Sequence, residues 1–151
     1  MKLITGTAPV ALLLVLSSCM NPPPPTPRQH PPTSVSASYG RTWDAVVAIF
    51  AERNITIYVD RKAGMVSSAL MGVLQSDSSW TSCGTAGVNE RVMRPEGVKY
   101  TITVKGDSAA STVHATALFG STSGMLVAQC PSRGTWEAQF EGEAKSRAEQ
   151  H

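Results

Sequence analysis

Val98-Lys99-Tyr100-Thr101-Ile102-Thr103-Val104-Lys105, then Gly106-Asp107-Ser108, then Ser111 to Phe119, carries the strongest periodic signal in the chain. In the first arm Val98, Tyr100, Ile102 and Val104 alternate with Lys99, Thr101, Thr103 and Lys105. Successive side chains of a strand point to opposite faces, so this pattern is a strand with one buried face. Gly106-Asp107-Ser108 has the composition of a turn. The second arm alternates again: Val113, Ala115, Ala117 and Phe119 fall on one side, Thr112, His114, Thr116 and Leu118 on the other. An antiparallel sheet with one apolar face needs a second layer.

Two amphipathic helices supply that layer. Tyr39, Trp43, Val46, Val47 and Phe50 recur at the spacing of one helical face, which predicts a helix over residues 39–53. Ser38 is its N-cap and Asn54 its left-handed stop. Ile55-Thr56-Ile57-Tyr58-Val59 follows as a strand burying Ile55, Ile57 and Val59. Asp60 to Gly64 is a turn, with Gly64 at positive φ, and Met65 to Leu70 is the returning strand. Residues 72–96 are rich in Gly, Ser and Thr; a third strand runs through Trp80 to Cys83, with a loop at Gly84–Gly87. Gly120-Ser121-Thr122-Ser123-Gly124 is a flexible loop. A closing helix spans Thr135 to Ala148, with Trp136 and Phe140 on its apolar face and Glu141 and Lys145 as an exposed pair. The expected fold is α+β: an antiparallel sheet packed by an N-terminal and a C-terminal helix, helix-grip-like and two-layered. Trp43 and Trp136 should both be buried against residues such as Ile57, Tyr100 and Ile102.

The N-terminus has a different character. Lys2 precedes an apolar run, densest at Val10 to Leu16. That run has the length of a signal-peptide core and falls short of the roughly 20 apolar residues of a spanning helix. It ends in Leu16-Ser17-Ser18-Cys19, which resembles the lipobox of bacterial lipoproteins. The expectation is cleavage before Cys19, lipidation of its thiol, and acylation of the freed amine. Acyl chains contribute about 0.8 kcal/mol per buried methylene, so several hold a protein on a bilayer. Met20 stands where Asp would favour inner-membrane retention, which points to the periplasmic face of the outer membrane. Asn21 to Pro32 is dominated by proline, which fixes φ and lacks an N–H, so it forms a polyproline II spacer of roughly 30–40 Å. The spacer reading outweighs a ligand for a polyproline-binding partner, and His30 is expected to be solvated within it. The chain thus divides into a signal peptide at 1–18, lipidated cysteine and tether at 19–35, and one globular domain at 36–148.

The run Tyr39…Trp43…Val47…Phe50, then Ile55-x-Ile57-x-Val59-Asp60, then Gly64-Met65-Val66, resembles the start of the BamC-type domains of outer-membrane assembly lipoproteins. The resemblance covers about thirty residues together with the element order. It implies a helix cradled by an antiparallel sheet and a role in envelope assembly. The chain departs from BamC in having room for one such domain rather than two, and in carrying a cysteine pair.

Once Cys19 is lipidated, Cys83 and Cys130 remain. An even pair in an exported domain predicts a disulfide. The absence of Cys-x-x-Cys argues against a redox-active pair. No second ligand sits at helical or hairpin spacing from His114, so no metal site is expected, and His114 is assigned to the polar face of its strand. Gly120–Gly124 is a near miss to a nucleophile elbow, with Thr122 in the serine position. No phosphate-binding glycine motif is present. Arg91, Arg94 and Lys99 form at most a small basic patch facing anionic lipid or peptidoglycan, more simply a solvated edge. The net charge of +2 gives no electrostatic footprint for nucleic acid. The expectation is a non-catalytic, lipid-anchored periplasmic binding or assembly lipoprotein without cofactor. Its partners would be the membrane, through the lipid on Cys19, and an envelope protein or peptidoglycan. The alternatives are a small envelope hydrolase or redox enzyme, and a peptidoglycan-binding lipoprotein.

Overall fold

The structure, a computed structural model, describes residues 30–73, 79–83, 85–86, 91–92, 94–123 and 126–150. The expected signal peptide, Cys19 and most of the tether lie outside the described residues. The fold is α+β, with a seven-stranded antiparallel sheet and two helices.

The two alternating arms form the centre of the sheet. Strand β7 (Gly97–Gly106) pairs along its whole length with β8 (Ser111–Ser123), from Gly97↔Gly120 to Gly106↔Ser111. At the turn Asp107 accepts the N–H groups of Ala109 and Ala110, and these bonds hold its carboxyl below the usual range. Val98, Tyr100, Ile102 and Val104 are buried, as are Val113, Ala115, Ala117 and Phe119. On the far side of β7 lies β3 (Met65–Ser68), paired with the edge strand β2 (Ile57–Asp60). Gly64 adopts φ 68° at their turn, and any Cβ there would meet the Val104 carbonyl oxygen at 2.2 Å. Below β3, β4 (Met71–Gly72) continues along the same edge of β7. The registers Ser67↔Thr101 and Met71↔Val98 differ by one residue, so the chain bulges between them. Ser68 fills the break: its Oγ accepts the Tyr100 N–H at 2.9 Å.

Helix α1 (Tyr39–Glu52) begins at Ser38, whose side chain accepts the Arg41 N–H, and ends before Asn54 at φ 54°. It buries Trp43, Val46, Ile49 and Phe50. Helix α2 (Thr135–Gln150) packs beside it on the same face of the sheet and buries Trp136, Phe140, Ala144 and Ala148. Trp136 stacks on Tyr100 with ring centroids 3.9 Å apart, and Phe140 meets Phe50 at 5.1 Å. Both tryptophans are therefore core residues, each 4% exposed.

Several local expectations are corrected. Val59 is 57% exposed, because the edge strand β2 extends beyond the cover of the helices. Trp80 to Cys83 is no strand; Thr81 makes a single bridge to Ser132. Thr85–Ala86 (β5) and Arg91–Val92 (β6) instead pair as a separate two-stranded unit. Residues 120–123 belong to β8, which pairs with β9 (Leu126–Cys130) from Phe119↔Cys130 to Ser123↔Leu126, so the first four residues of the near miss to an elbow are strand backbone, and Gly124 lies outside the described residues. Thr33–Val35 (β1), read as the end of the tether, pairs with β8 as Thr33↔Val113 and Val35↔Ser111.

Candidate functional site

The outer edge of β8 is covered by different strands along its length. β1 covers residues 111–113 and β9 covers 119–123. Pro31 and Pro32, which lack an N–H, end the ladder before β1 can extend past Val113. The intervening backbone must find other partners, since a buried unpaired amide costs free energy comparable to a lost hydrogen bond.

Two glutamates of α2 supply them. Glu137 and Glu141, 4% and 1% exposed, accept the N–H groups of Ala117 and Ala115 at 3.1 and 2.7 Å. The match follows from geometry: four residues of helix rise about 6 Å, and two residues of strand about 6.7 Å. Side chains at i and i+4 of a helix running against the strand therefore meet alternate N–H groups on its edge. Glu137 also accepts Ser132 Oγ at 2.8 Å, which ties the helix to its entry turn. This corrects the expected exposed pair of Glu141 and Lys145; Lys145 lies instead 3.8 Å from Glu149.

Glu141 is the centre of a polar cluster. Its Oε1 takes the Ala115 N–H and contacts His30 Nε2 at 2.7 Å; its Oε2 accepts Thr33 Oγ1 at 2.5 Å. His114 brings Nδ1 to 3.6 Å from Oε1, too long for a hydrogen bond. That nitrogen is buried and has no hydrogen-bond partner among the described residues. The two imidazoles lie with centroids 5.1 Å apart, each about one-third exposed. His30 is thus held at the sheet edge rather than solvated. His114 projects from the helix-free face but its ring reaches the same edge.

The expected disulfide is present. Cys83 and Cys130 are bonded, with Cα atoms 4.3 Å apart. It fastens the segment beside the Thr81–Ser132 bridge to the end of β9. Both helices lie on one face of the sheet, so the other presents cross-strand rows Tyr58–Ser67–Thr101–Thr116 and Asp60–Met65–Thr103–His114. Tyr58, Met65 and Leu118 are exposed there. Arg94 and Lys99 are exposed as expected of a solvated edge; the Arg91 side chain lies outside the described residues. Among the described residues no helix is long and apolar enough to cross a membrane.

No protein-family model matches the chain, and a search of curated proteins finds no match.

The signal that could have exposed the cluster is in α2. Glu137 and Glu141 directly follow Trp136 and Phe140, so they share the flank of the apolar stripe. The histidine that meets Glu141 is far away in sequence, 111 positions separating His30 from it, and no local spacing encodes that meeting.

Proposed function

We propose that the chain is a lipid-anchored, non-catalytic binding module of the bacterial envelope, held at the periplasmic face of the outer membrane and docking an envelope partner. The observation that carries the anchoring is Leu16-Ser17-Ser18-Cys19 at the end of the apolar run. The Cys83–Cys130 bond supports export, because disulfides persist in oxidising compartments such as the periplasm. The one-sided sheet supports a binding role. Its helix-free face carries threonines with scattered apolar side chains, a surface suited to docking.

The test is fractionation of Cys19→Ala. The wild-type chain should label with fatty acid and sediment with membranes; the substituted chain should do neither. Membrane association with unchanged mobility in the variant would refute the anchor. Photocrosslinking from position 101, on the helix-free face, should trap a defined envelope protein in intact cells, and no adduct above background would refute the docking role.

A further inference from the structure

We propose that His30, His114 and Glu141 form a binding site for a divalent transition-metal ion of the zinc class. Their ligand atoms, His30 Nε2, His114 Nδ1 and Glu141 Oε1, lie within 4.8 Å of one another. Two imidazoles and a carboxylate are a donor set that zinc accepts at about 2.0–2.2 Å, which puts neighbouring donors roughly 3.3 Å apart in a tetrahedral site. The observed separations to Glu141 Oε1, 2.7 Å from His30 and 3.6 Å from His114, fall on either side of that value.

Three further features fit a metal better than a plain hydrogen-bond cluster. His114 Nδ1 is buried, has no hydrogen-bond partner among the described residues and stands beside Glu141 Oε1; an ion bound between them would satisfy it. The Glu141 carboxylate is already oriented, by the Ala115 N–H on one oxygen and the Thr33 hydroxyl on the other. Such outer contacts are what hold a ligating carboxylate in place. The two sides of the site are also held differently. Glu141 is anchored in the core, whereas His30 lies outside the sheet ladder, before exposed Pro31 and Pro32 at the entry to β1, so a small rotation of its side chain would bring its Nε2 to ligand distance. The ion would take the lone pair on Oε1 that His30 now uses, and His30 would become a ligand instead. Both imidazoles are partly exposed, so a fourth position would face solvent. Binding would fasten the chain at residue 30 to the edge of β8.

The experiment uses the full chain in detergent with Cys19→Ser, so that no free thiol competes, after removal of metal with a chelator. Co2+ and Zn2+ are titrated separately, Co2+ by its visible d–d absorption and Zn2+ by competition with a chromophoric chelator. The expected result is one ion per chain with a dissociation constant in the micromolar range or below. His30→Ala and His114→Ala should each weaken binding at least about tenfold, the lower bound seen even for outer-shell changes. His151→Ala, the remaining histidine, should bind as before. The imidazole variants decide the matter, since both side chains are partly exposed and circular dichroism can verify that each variant is folded. Stoichiometric binding that survives both histidine substitutions, or no saturable binding below millimolar metal, would overturn the proposal.

Discussion

Replacing Glu141 with alanine removes the acceptor for three groups at once, and the cost can be worked from their surroundings. Ala115 N–H, Thr33 Oγ1 and His30 Nε2 all contact its carboxylate. His30 is 28% exposed and can turn to water, and the Thr33 hydroxyl can rotate. The Ala115 N–H cannot escape: its residue is fully buried, and neither β1 nor β9 reaches it. A hydrogen bond to a charged group contributes about 1.5–3 kcal/mol, and a stranded buried donor costs about 1–3 kcal/mol. The expected loss for Glu141→Ala is therefore about 3–5 kcal/mol, against roughly 5–15 kcal/mol for a whole domain. Glu141→Gln should behave differently. Its carbonyl oxygen can keep the Ala115 N–H, and its amide can donate to the Thr33 hydroxyl, which accepts as well as donates. The loss there should be about 1 kcal/mol. Urea unfolding followed by tryptophan fluorescence separates the two. With a urea slope of about 1–3 kcal/mol per molar, the alanine midpoint should fall by about 2 M and the glutamine midpoint by less than about 1 M. Equal midpoints for wild type and alanine, or a glutamine variant as damaged as the alanine one, would refute the capping role.

Two further outcomes follow from the packing. Trp136→Ala should cost about 3–5 kcal/mol, as for large buried aromatics, because it empties the site between Tyr100 and Phe140; an unchanged thermal melt would remove Trp136 from the core. Reducing Cys83–Cys130, which spans 47 positions, should cost about 4 kcal/mol by loss of chain restriction in the unfolded state; a urea midpoint indifferent to reductant would contradict that.

The central hairpin was legible because its two arms alternate strictly and each alternation has one solution, apolar side inward. All eight positions assigned to the inward side in Val98–Phe119 are buried, and Leu118 on the outward side is exposed. The caps of α1 were legible for a local reason too: Ser38 and Asn54 act on backbone within a few residues of themselves. The disulfide followed from the count of cysteines and the expected compartment. Weak or misleading signals came from residues whose environment is set elsewhere. Val59 continues an apolar alternation, yet it lies on the edge strand β2 and is exposed. Residues 120–123 have loop composition, yet they are strand because β9 returns to pair with them.

The polar cluster marks the boundary between the two kinds of information. Periodicity places Glu141 on a helix, His114 on a strand and His30 in a proline-rich stretch, each a short-range statement about backbone geometry. Their meeting depends on the gap left along β8, because β1 stops at the prolines and the pairing with β9 starts only at Phe119 of β8. That gap exposes two buried N–H groups, and the rise of α2 happens to present carboxylates at the same interval. Sequence alone therefore determined the layers, the caps and the cysteine pair, all of which follow from neighbours in the chain. Which side chains face one another at the sheet edge was decided only by tertiary structure, since contacts across 111 positions are set by strand order and register rather than by local spacing.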